Sequence, residues 1–321
     1  MKTVFILNPK AGKGRQKEKT EEILLKIIAE KELDAQVYVT AYPGDATRFV
    51  REHCKTYGAA RFIACGGDGT LSEVLNGAVG FSGAEVGVMP LGSGNDFCRN
   101  FPCDTAFGDV YLQAVSEAVA CDAIRYTTTV NGEAVTGYCA NMFNIGFDCK
   151  VADTTNHLKD KTVFGGSFAY FLSILMNLIQ KKVTFLTVTA DGLCEHSGAT
   201  LLTSVANGKY CGGGIMSNPM ASLRDGRINF NIIRNISRLR FVSLLFSYMK
   251  GTHMSKKGIE KYILSKHCKT LTVTPENGIM RLCIDGEIVT AGETTFEIVP
   301  NAIQFVLPGV KNQSTLIGVC R

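Results

Sequence analysis

Residues 61–71 read RFIACGGDGTL, an apolar run that passes through a glycine-rich turn into the start of a helical segment. An apolar run of this length predicts a strand, and 71–79 has the spacing of a helix. The same order recurs through the first 125 residues, and alternating strands and helices are typical of a parallel sheet with helices on both faces. The predicted strands are 3–7, 35–40, 61–65 and 86–89, and the predicted helices are 17–31, 46–57, 71–79 and 111–120. We therefore expect an α/β domain that binds its ligand beyond the carboxyl ends of the strands.

The pattern changes after about residue 125, where turn dipeptides separate short apolar runs. These dipeptides are Asn131-Gly132, Asp191-Gly192 and Asn277-Gly278, and the last of them lies between the runs 271–274 and 281–284. Asn-Gly and Asp-Gly favour hairpin turns, so antiparallel hairpins are expected. Two helical stretches, near 167–182 and 237–254, interrupt this β-rich part of the chain.

Two domains follow from this change of pattern. The first is predicted to cover residues 1–125, joined by the C-terminal residues 304–321, because the apolar segment 302–307 is expected to return to it. The second, β-rich domain is predicted to cover residues 126–303.

Three glycine-rich loops follow strands of the first domain. They are Asn8–Arg15, Gly66–Thr70 and Gly92–Asp96. Glycine lets backbone N–H groups come close to phosphate oxygens, and helix N-termini bind anions. No loop has the GxxxxGK[ST] or full GxGxxG pattern, and a single glycine turn needs no ligand to explain it. Three of them in one domain predict a ligand that carries phosphate.

Acidic side chains lie within and beside these loops. Asp68 and Asp96 would face bound phosphate, and since carboxylates repel phosphate, a divalent cation is expected between them. The alternative is that both are turn aspartates that bond their own backbone. Thr70-Leu71-Ser72-Glu73 has the pattern of a capping box, which predicts that Glu73 satisfies backbone donors at the start of its own helix.

Composition excludes several classes of protein. The 321-residue chain has a net charge of +5, without the concentrated basic surface interleaved with aromatic residues that nucleic-acid binders carry, so no nucleic-acid partner is expected. A mild positive charge does suit a nucleotide or an acidic membrane face. The 12 cysteines form neither a CxxC pair nor a Cys/His cluster with zinc spacing, which indicates free thiols in a reducing compartment.

We expect neither a signal peptide nor a transmembrane helix in this chain. No signal-peptide pattern opens the chain, and the longest apolar stretches, 168–179 and 241–249, are shorter than the about 20 residues that span a bilayer. We expect a cytoplasmic protein, peripheral to the inner face of the membrane. Lys250–Lys269 holds six lysines and one acid, Glu260, so this segment either docks on anionic lipid or is a solvated surface. The 168–179 stretch either lines an acyl channel or forms a core helix.

Taken together, the motifs resemble the diacylglycerol kinase catalytic family, in its soluble bacterial branch. Asn8-Pro9 with Gly12, GGDGT at 66–70, GSGNDF at 92–97 and DGE at 285–287 follow in the family's order over essentially the whole chain. GGDGT alone is shared with NAD kinases and phosphofructokinases, whereas GSGNDF followed by a late DGE is more specific to lipid kinases. The resemblance implies an NAD-kinase-like or diacylglycerol-kinase-like α/β domain, a β-sandwich-like second domain, and ATP in the cleft between them.

The resemblance also implies the roles of individual residues. Asp68, Asp96 and Asp122 resemble a carboxylate network that holds Mg²⁺ through water, and Glu287 resembles the catalytic base that takes the proton of the attacking hydroxyl. The Asp285-Gly286 pair before Glu287 is also typical of a plain β-turn. The nucleotide-binding residues that it implies are Asn8, Pro9, Lys10, Ala11, Gly12, Thr40, Gly67, Asp68, Gly69, Thr70, Leu71 and Ser93, of which Ser93 stands where the family usually has threonine and keeps the hydroxyl.

A separate loop, residues 222–227, resembles the family's structural Mg²⁺ site. Its implied ligands are the Asp225 side chain and the backbone carbonyls of Ser222 and Arg227. Oxygen ligands on a tight glycine turn suit a hard cation. The alternative is an ordinary Asp-Gly turn before the strand 228–232.

The predicted reaction transfers the γ-phosphoryl group of ATP, with Mg²⁺, to a lipid hydroxyl at the membrane surface. Diacylglycerol giving phosphatidic acid is the first choice of acceptor and product. The alternatives are an NAD kinase-like phosphotransferase and a non-catalytic nucleotide or lipid sensor on the same fold. The sequence leaves open which lipid is the acceptor and whether the protein forms a homodimer.

Overall fold

The protein divides into two structural units, Met1–Ala123 with Pro300–Arg321 (unit 1) and Ile124–Val299 (unit 2). The structure is a computed structural model that describes residues 1–11, 17–102, 105–146 and 183–309. Gly12, the helix predicted near 167–182 and the apolar stretch 168–179 lie outside the described residues.

Unit 1 contains parallel strands in the order β2-β1-β3-β4. Their bounds are β1 (Thr3–Leu7), β2 (Ala35–Val39), β3 (Arg61–Gly66) and β4 (Glu85–Pro90). Every residue of β1 and β3 is buried, as expected for parallel strands covered on both faces. Leu7 pairs with Val39 on one side and Cys65 on the other, so the loops after β1, β2 and β3 all leave the sheet at the carboxyl ends of its strands.

The helices of unit 1 are α1 (Lys17–Glu30), α2 (Asp45–Tyr57), α3 (Asp68–Ala78) and the short α4 (Val110–Val115). Helix α3 packs closely on α2, because a Cβ on Gly77 would lie 2.9 Å from the Thr47 carbonyl oxygen. The prediction of a helix over 111–120 is wrong beyond Val115. There the chain enters strand β5 (Ala118–Val130), and pairing with a distant segment, in which Leu307 N–H donates to the Glu117 carbonyl, outweighs local helical propensity.

The core of unit 1 is continuous from the sheet into the covering helices. Its buried members are Phe5, Leu7, Leu24, Ile63, Cys65, Met89, Val110 and Val306. Val306 belongs to strand β15 (Thr294–Val306), whose end pairs in parallel with β4 through Gln304–Glu85 and Phe305–Val86. The return of the segment 302–307 to unit 1 is therefore confirmed.

Among the residues described between 124 and 299, unit 2 consists of antiparallel strands, one α-helix and two short 3-10 helices, His253–Ser255 and Ile259–Lys261. After β5, its elements are β6 (Glu133–Cys139), β7 (Met142–Gly146), β8 (Thr184–Ala190), β9 (Leu193–Ala206), β10 (Ile228–Arg234), α5 (Arg238–Met249), β11 (Ile263–Cys268), β12 (Thr270–Pro275), β13 (Met280–Ile284) and β14 (Glu287–Ala291), followed by β15. Phe143, Phe230 and Phe296 are fully buried at the centre of its larger apolar core. A second core, which includes Met142 and Leu202, lies against α5.

Two-residue turns join the hairpins of unit 2. Asn131-Gly132 links β5 to β6 and Asp191-Gly192 links β8 to β9, with positive φ at both residues of each turn, so these two predicted hairpins are confirmed. The third predicted hairpin is wrong. Gly278 does turn the chain (φ 76°), but β12 pairs with β15 and β8 and has no free edge for β13. Strand β13 pairs with β14 and β7 instead.

No helix within the described ranges is both long and apolar enough to cross a membrane.

Candidate active site

The loop after β1 is anchored by Asn8. Its Nδ2 donates to Thr70 Oγ1 (3.0 Å), and its Oδ1 accepts from the Lys10 N–H (2.9 Å). The Asn8 N–H donates to the Cys65 carbonyl at the end of β3 (3.1 Å), and its own carbonyl accepts from the Ala11 N–H (3.1 Å). One residue therefore folds its own loop and ties that loop to the start of α3.

The loop after β3 leads straight into α3. The helix begins at Asp68, preceded by Gly67 in an extended conformation. A Cβ on Gly66 would lie 2.2 Å from Thr70 Oγ1, so only glycine leaves room for the Thr70 hydroxyl that accepts from Asn8. The first-turn N–H groups of an eleven-residue helix have no intrahelical partners and favour an anion.

The third loop touches the second through glycine backbones. A Cβ on Gly92 would lie 2.5 Å from the Gly67 Cα, a distance that carbon atoms do not tolerate. Asn95 shapes this loop from within, since its Oδ1 accepts from the Gly92 N–H (3.1 Å) and its Nδ2 donates to the Gly92 carbonyl (2.7 Å). Asn95 has φ 53°, in the left-handed region that asparagine tolerates better than most residues.

Two of the predicted carboxylates converge on this third loop. An ideal Cβ on Gly94 would lie 2.9 Å from Asp68 Oδ2 and 3.5 Å from Asp96 Oδ2, so both side chains flank the same glycine. Asp68 Oδ1 accepts from the Phe97 N–H (3.3 Å). Burial raises the pKa of Asp68. The backbone N–H groups of residues 95–97 lower it, but the effect of burial is the larger one. Asp96 is buried, and its Oδ1 lies 3.6 Å from Arg99 Nε.

Asp122, the third predicted carboxylate, lies on β5 and is 2 % exposed. Its Oδ1 accepts from the N–H of Asn301 (2.9 Å), where β15 has a positive φ of 53°. Asp122 therefore stabilises an irregular point in that strand. Over the part of the chain that the structure describes, no three His, Cys, Asp or Glu side chains form a group that could hold a metal ion directly.

The other predicted nucleotide-binding residues of unit 1 lie at or just beyond the carboxyl ends of the same parallel strands. Thr40 follows β2, and its N–H donates to the Leu7 carbonyl (3.0 Å) immediately before Asn8. Ser93 is exposed at the third loop, and Leu71 is buried in the first turn of α3. Around the two loops, Pro9, Gly67 and Gly69 are half-buried and Lys10 is exposed.

Glu287, the predicted base, belongs to unit 2. It is the exposed first residue of β14 and pairs with Ile284 across the turn Asp285-Gly286, where φ is 45° and 96°. A hydrogen bond from the buried Cys139 thiol to Asp285 Oδ1 (3.1 Å) stabilises this turn. Burial and the neighbouring acidic groups, including Glu287, raise the pKa of Tyr126 to about 12. Glu287 thus presents a carboxylate on a tightly fixed turn.

The loop 222–227 folds on its own side chain. Asp225 Oδ1 accepts from the Arg227 N–H (3.0 Å), and Gly226 has a positive φ of 67°. Ser222 Oγ accepts from the Arg224 N–H at 3.5 Å. Asp225 is exposed, so the geometry is that of an Asp-Gly turn at the protein surface.

The capping-box prediction for Glu73 is wrong. Helix α3 already begins at Asp68, so Thr70 lies inside it and bonds Asn8 instead of capping the helix. Glu73 Oε2 accepts from the Ala46 N–H (3.2 Å), in the first turn of the neighbouring helix α2. Glu73 does satisfy a backbone donor at a helix start, but of a helix that the local pattern could not indicate.

Sequence reasoning missed two residues that shape the site. Asn95 lies between Gly94 and Asp96, where a left-handed conformation could have been suspected from its side chain. Cys139 gave no signal, because its partner Asp285 is 146 positions away in the chain.

Two family models together match most of the chain. Residues 2–126 match the model of the diacylglycerol kinase catalytic domain, and residues 141–307 match that of the YegS C-terminal NAD kinase β-sandwich-like domain. The chain therefore has two domains, a catalytic N-terminal one and a β-sandwich-like C-terminal one.

Relatives of known sequence and structure agree with this assignment. A "probable lipid kinase YegS-like" from Yersinia pestis is 31 % identical over 312 residues, which cover 95 % of this chain and 97 % of that protein. The corresponding protein of Yersinia enterocolitica is 29 % identical over 310 residues, with the same coverage. The solved structure of a diacylglycerol kinase from Bacillus anthracis superposes with a TM-score of 0.69 at 20 % identity, covering 96 % of this chain and 97 % of that one, which shows the shared fold.

Proposed function

The chain belongs to the family of YegS-like lipid kinases, and from that premise we propose that it transfers the γ-phosphoryl group of ATP to the hydroxyl of diacylglycerol, giving phosphatidic acid. We propose that the protein is cytoplasmic and meets this acceptor at the inner face of the membrane. The Bacillus anthracis protein with the same fold is named a diacylglycerol kinase, which makes diacylglycerol the first acceptor to test.

The observation that carries the proposal is the packing of the second and third loops. Gly67 and Gly92 bring two backbones together at a distance that no side chain permits, and Asp68 and Asp96 flank Gly94 beside them. Backbone N–H groups at a helix start suit the phosphates of a nucleotide. Asn8 and Thr70 tie the first loop to the same place. Phosphoryl transfer depends mainly on such positioning and on charge neutralisation.

The donor set of these loops fits Mg²⁺. Asp68 and Asp96 supply carboxylate oxygens, the ligands that this hard cation prefers, and a water-bridged arrangement needs no direct cluster of three side chains. Bound there, Mg²⁺ would neutralise charge on the transferred phosphoryl group. Asp122 is proposed as the third member of this network. The loop of Ser222, Asp225 and Arg227 is proposed to hold a second, structural Mg²⁺ through one carboxylate and two backbone carbonyls.

Glu287 is proposed as the base. Its carboxylate accepts the proton of the lipid hydroxyl as that oxygen bonds to the γ-phosphorus and the bond from phosphorus to the ADP oxygen breaks. An exposed carboxylate on a fixed hairpin turn can approach an acceptor without rearrangement of its own strand. The names of the Yersinia relatives favour a lipid acceptor over NAD.

The test is transfer of radiolabelled γ-phosphate from ATP, with Mg²⁺, to diacylglycerol, sphingosine and NAD in detergent micelles. Wild type is compared with Glu287→Gln and with Glu133→Gln. Glu133 is a matched control, because it is also the exposed first residue of a strand after a two-residue turn of the same kind. We expect labelled phosphatidic acid from wild type and Glu133→Gln, and a loss of about 10²-fold or more in Glu287→Gln.

Each outcome has a distinct meaning. Label on another lipid would replace diacylglycerol as the acceptor and keep the mechanism. Label on NAD alone would refute the lipid acceptor. ATP binding without transfer to any acceptor would leave a nucleotide sensor, and equal activity of the two glutamine variants would remove Glu287 from the role of base.

A further inference from the structure

Helix α5 (Arg238–Met249) on unit 2 exposes apolar side chains on the side that faces away from its core. Leu244 and Leu245 are buried against the second core of unit 2. Leu239, Val242 and Phe246 are 85 %, 44 % and 64 % exposed. The inward residues anchor the helix on that core, and the exposed ones leave apolar area at the protein surface.

These exposed residues form one stripe. Leu239, Val242 and Phe246 are separated by three and four positions, the spacing that places side chains on one face of a helix. Single exposed apolar residues are normal on protein surfaces, but a continuous apolar patch rimmed by polar groups marks an interaction site. We call this stripe the outer face of α5.

The rim of the outer face is cationic. Residues 234–261 contain seven Lys and Arg and a single acid, Glu260. Exposed Lys250 follows the last turn of the helix, and exposed Lys256, Lys257 and Lys261 lie in the segment that comes after it. That segment returns alongside the helix, because the Arg240 guanidinium lies 4.7 Å from the Tyr262 ring centroid.

We infer that the outer face of α5 docks the protein on an anionic bilayer, an inference that rests on the proposed function because a lipid kinase must reach an acceptor held in a membrane. Apolar side chains with lysines around them fit the boundary between acyl chains and anionic headgroups. A second copy of the chain fits less well, since a symmetric contact would bring two cationic rims together.

The inference is tested by sedimentation with vesicles of phosphatidylcholine alone or mixed equally with phosphatidylglycerol. Wild type is compared with the double variant Leu239→Ser/Phe246→Ser and with Leu193→Ser, a matched control because Leu193 is 69 % exposed on a different surface element, the start of β9. We expect the double variant to bind mixed vesicles at least about tenfold more weakly, and Leu193→Ser to bind like wild type. Lys256→Glu/Lys257→Glu should weaken binding to mixed vesicles and lose most of its salt dependence.

Kinase activity in detergent micelles separates this inference from the proposed function. We expect the double variant to keep wild-type transfer in micelles and to lose it on mixed vesicles. Vesicle binding by wild type without any transfer would overturn the proposed function alone. Equal vesicle binding by wild type and a double variant with unchanged melting temperature would overturn the docking surface, as would a wild-type dimer that the double variant abolishes.

Discussion

Replacing Gly92 by alanine tests whether the contact between the second and third loops builds the proposed nucleotide site. The new methyl carbon would lie 2.5 Å from the Gly67 Cα, 2.9 Å from Asn95 Oδ1 and 3.2 Å from the Gly67 nitrogen. Carbon atoms in contact sit about 3.5–4.0 Å apart, so the loops must separate by roughly 1 Å. The atoms in the way are mostly backbone and cannot rotate aside.

The magnitude follows from this overlap. Inserting a methyl group into a packed region costs about 1–3 kcal/mol. If the nucleotide binds only when the loops are close, the same energy appears as a loss of ATP affinity of roughly 5- to 150-fold. If the strain is instead kept in the folded protein, the melting temperature falls by about 2–4 °C for each kcal/mol in a unit of this size.

The assay is ATP affinity by titration calorimetry together with thermal unfolding, for wild type, Gly92→Ala and Gly108→Ala. Gly108 is the matched control, because it lies in unit 1, a Cβ there meets no atom within 4 Å, and its φ lies outside the left-handed region. Gly108→Ala should behave like wild type. A Gly92→Ala protein with wild-type ATP affinity and an unchanged melting temperature would show that the two loops do not act as one site.

Two further predictions concern unit 2. Cys139→Ala removes the donor to Asp285 and should lower the free energy of unfolding of unit 2 by about 1 kcal/mol in urea. Cys139→Ser keeps a donor, so its free energy of unfolding should fall by less. Equal losses in the two variants would exclude the hydrogen bond as the cause. His253 is fully buried, and burial lowers its pKa, so the unfolded chain takes up the proton first as pH falls below about 6.5. Its contribution to stability is therefore present above that pH and lost below it. Between pH 7.5 and 5.5, roughly one pH unit either side of the unfolded pKa, the melting temperature of wild type should fall by more than that of His253→Gln. Parallel curves of melting temperature against pH for the two proteins would refute this.

Local patterns predicted those parts of the fold whose cause is local. The turns Asn131-Gly132 and Asp191-Gly192 need positive φ at two successive residues, which these dipeptides supply wherever they occur. The buried strands β1 and β3 can be recognised in the sequence as apolar runs, because both of their faces are covered. The glycine loops that follow these strands could be located for the same reason.

Features that depend on distant partners could not be predicted in the same way. Gly278 turns the chain, but the pairing of β12 is decided by β8 and β15, which lie far from it in sequence. Glu73 accepts from the Ala46 N–H, 27 positions earlier, in the first turn of another helix. The contact between Gly67 and Gly92 likewise needs the sheet to place two loops side by side, so the sequence indicates that both residues are glycine but not that they touch.

The path of β15 has a consequence for how the protein is made. Its end, through Gln304 and Phe305, supplies a strand neighbour to β4, and the Phe305 ring stacks on Phe101 with centroids 5.1 Å apart. Unit 2 is therefore an insertion within unit 1, and the ribosome must synthesise the whole of unit 2 before unit 1 can complete its sheet. Domains usually fold in the order in which they leave the ribosome. Unit 1 begins to emerge first but cannot complete its sheet until residues 304 and 305 have been synthesised, and until then β4 lacks β15 as a strand neighbour.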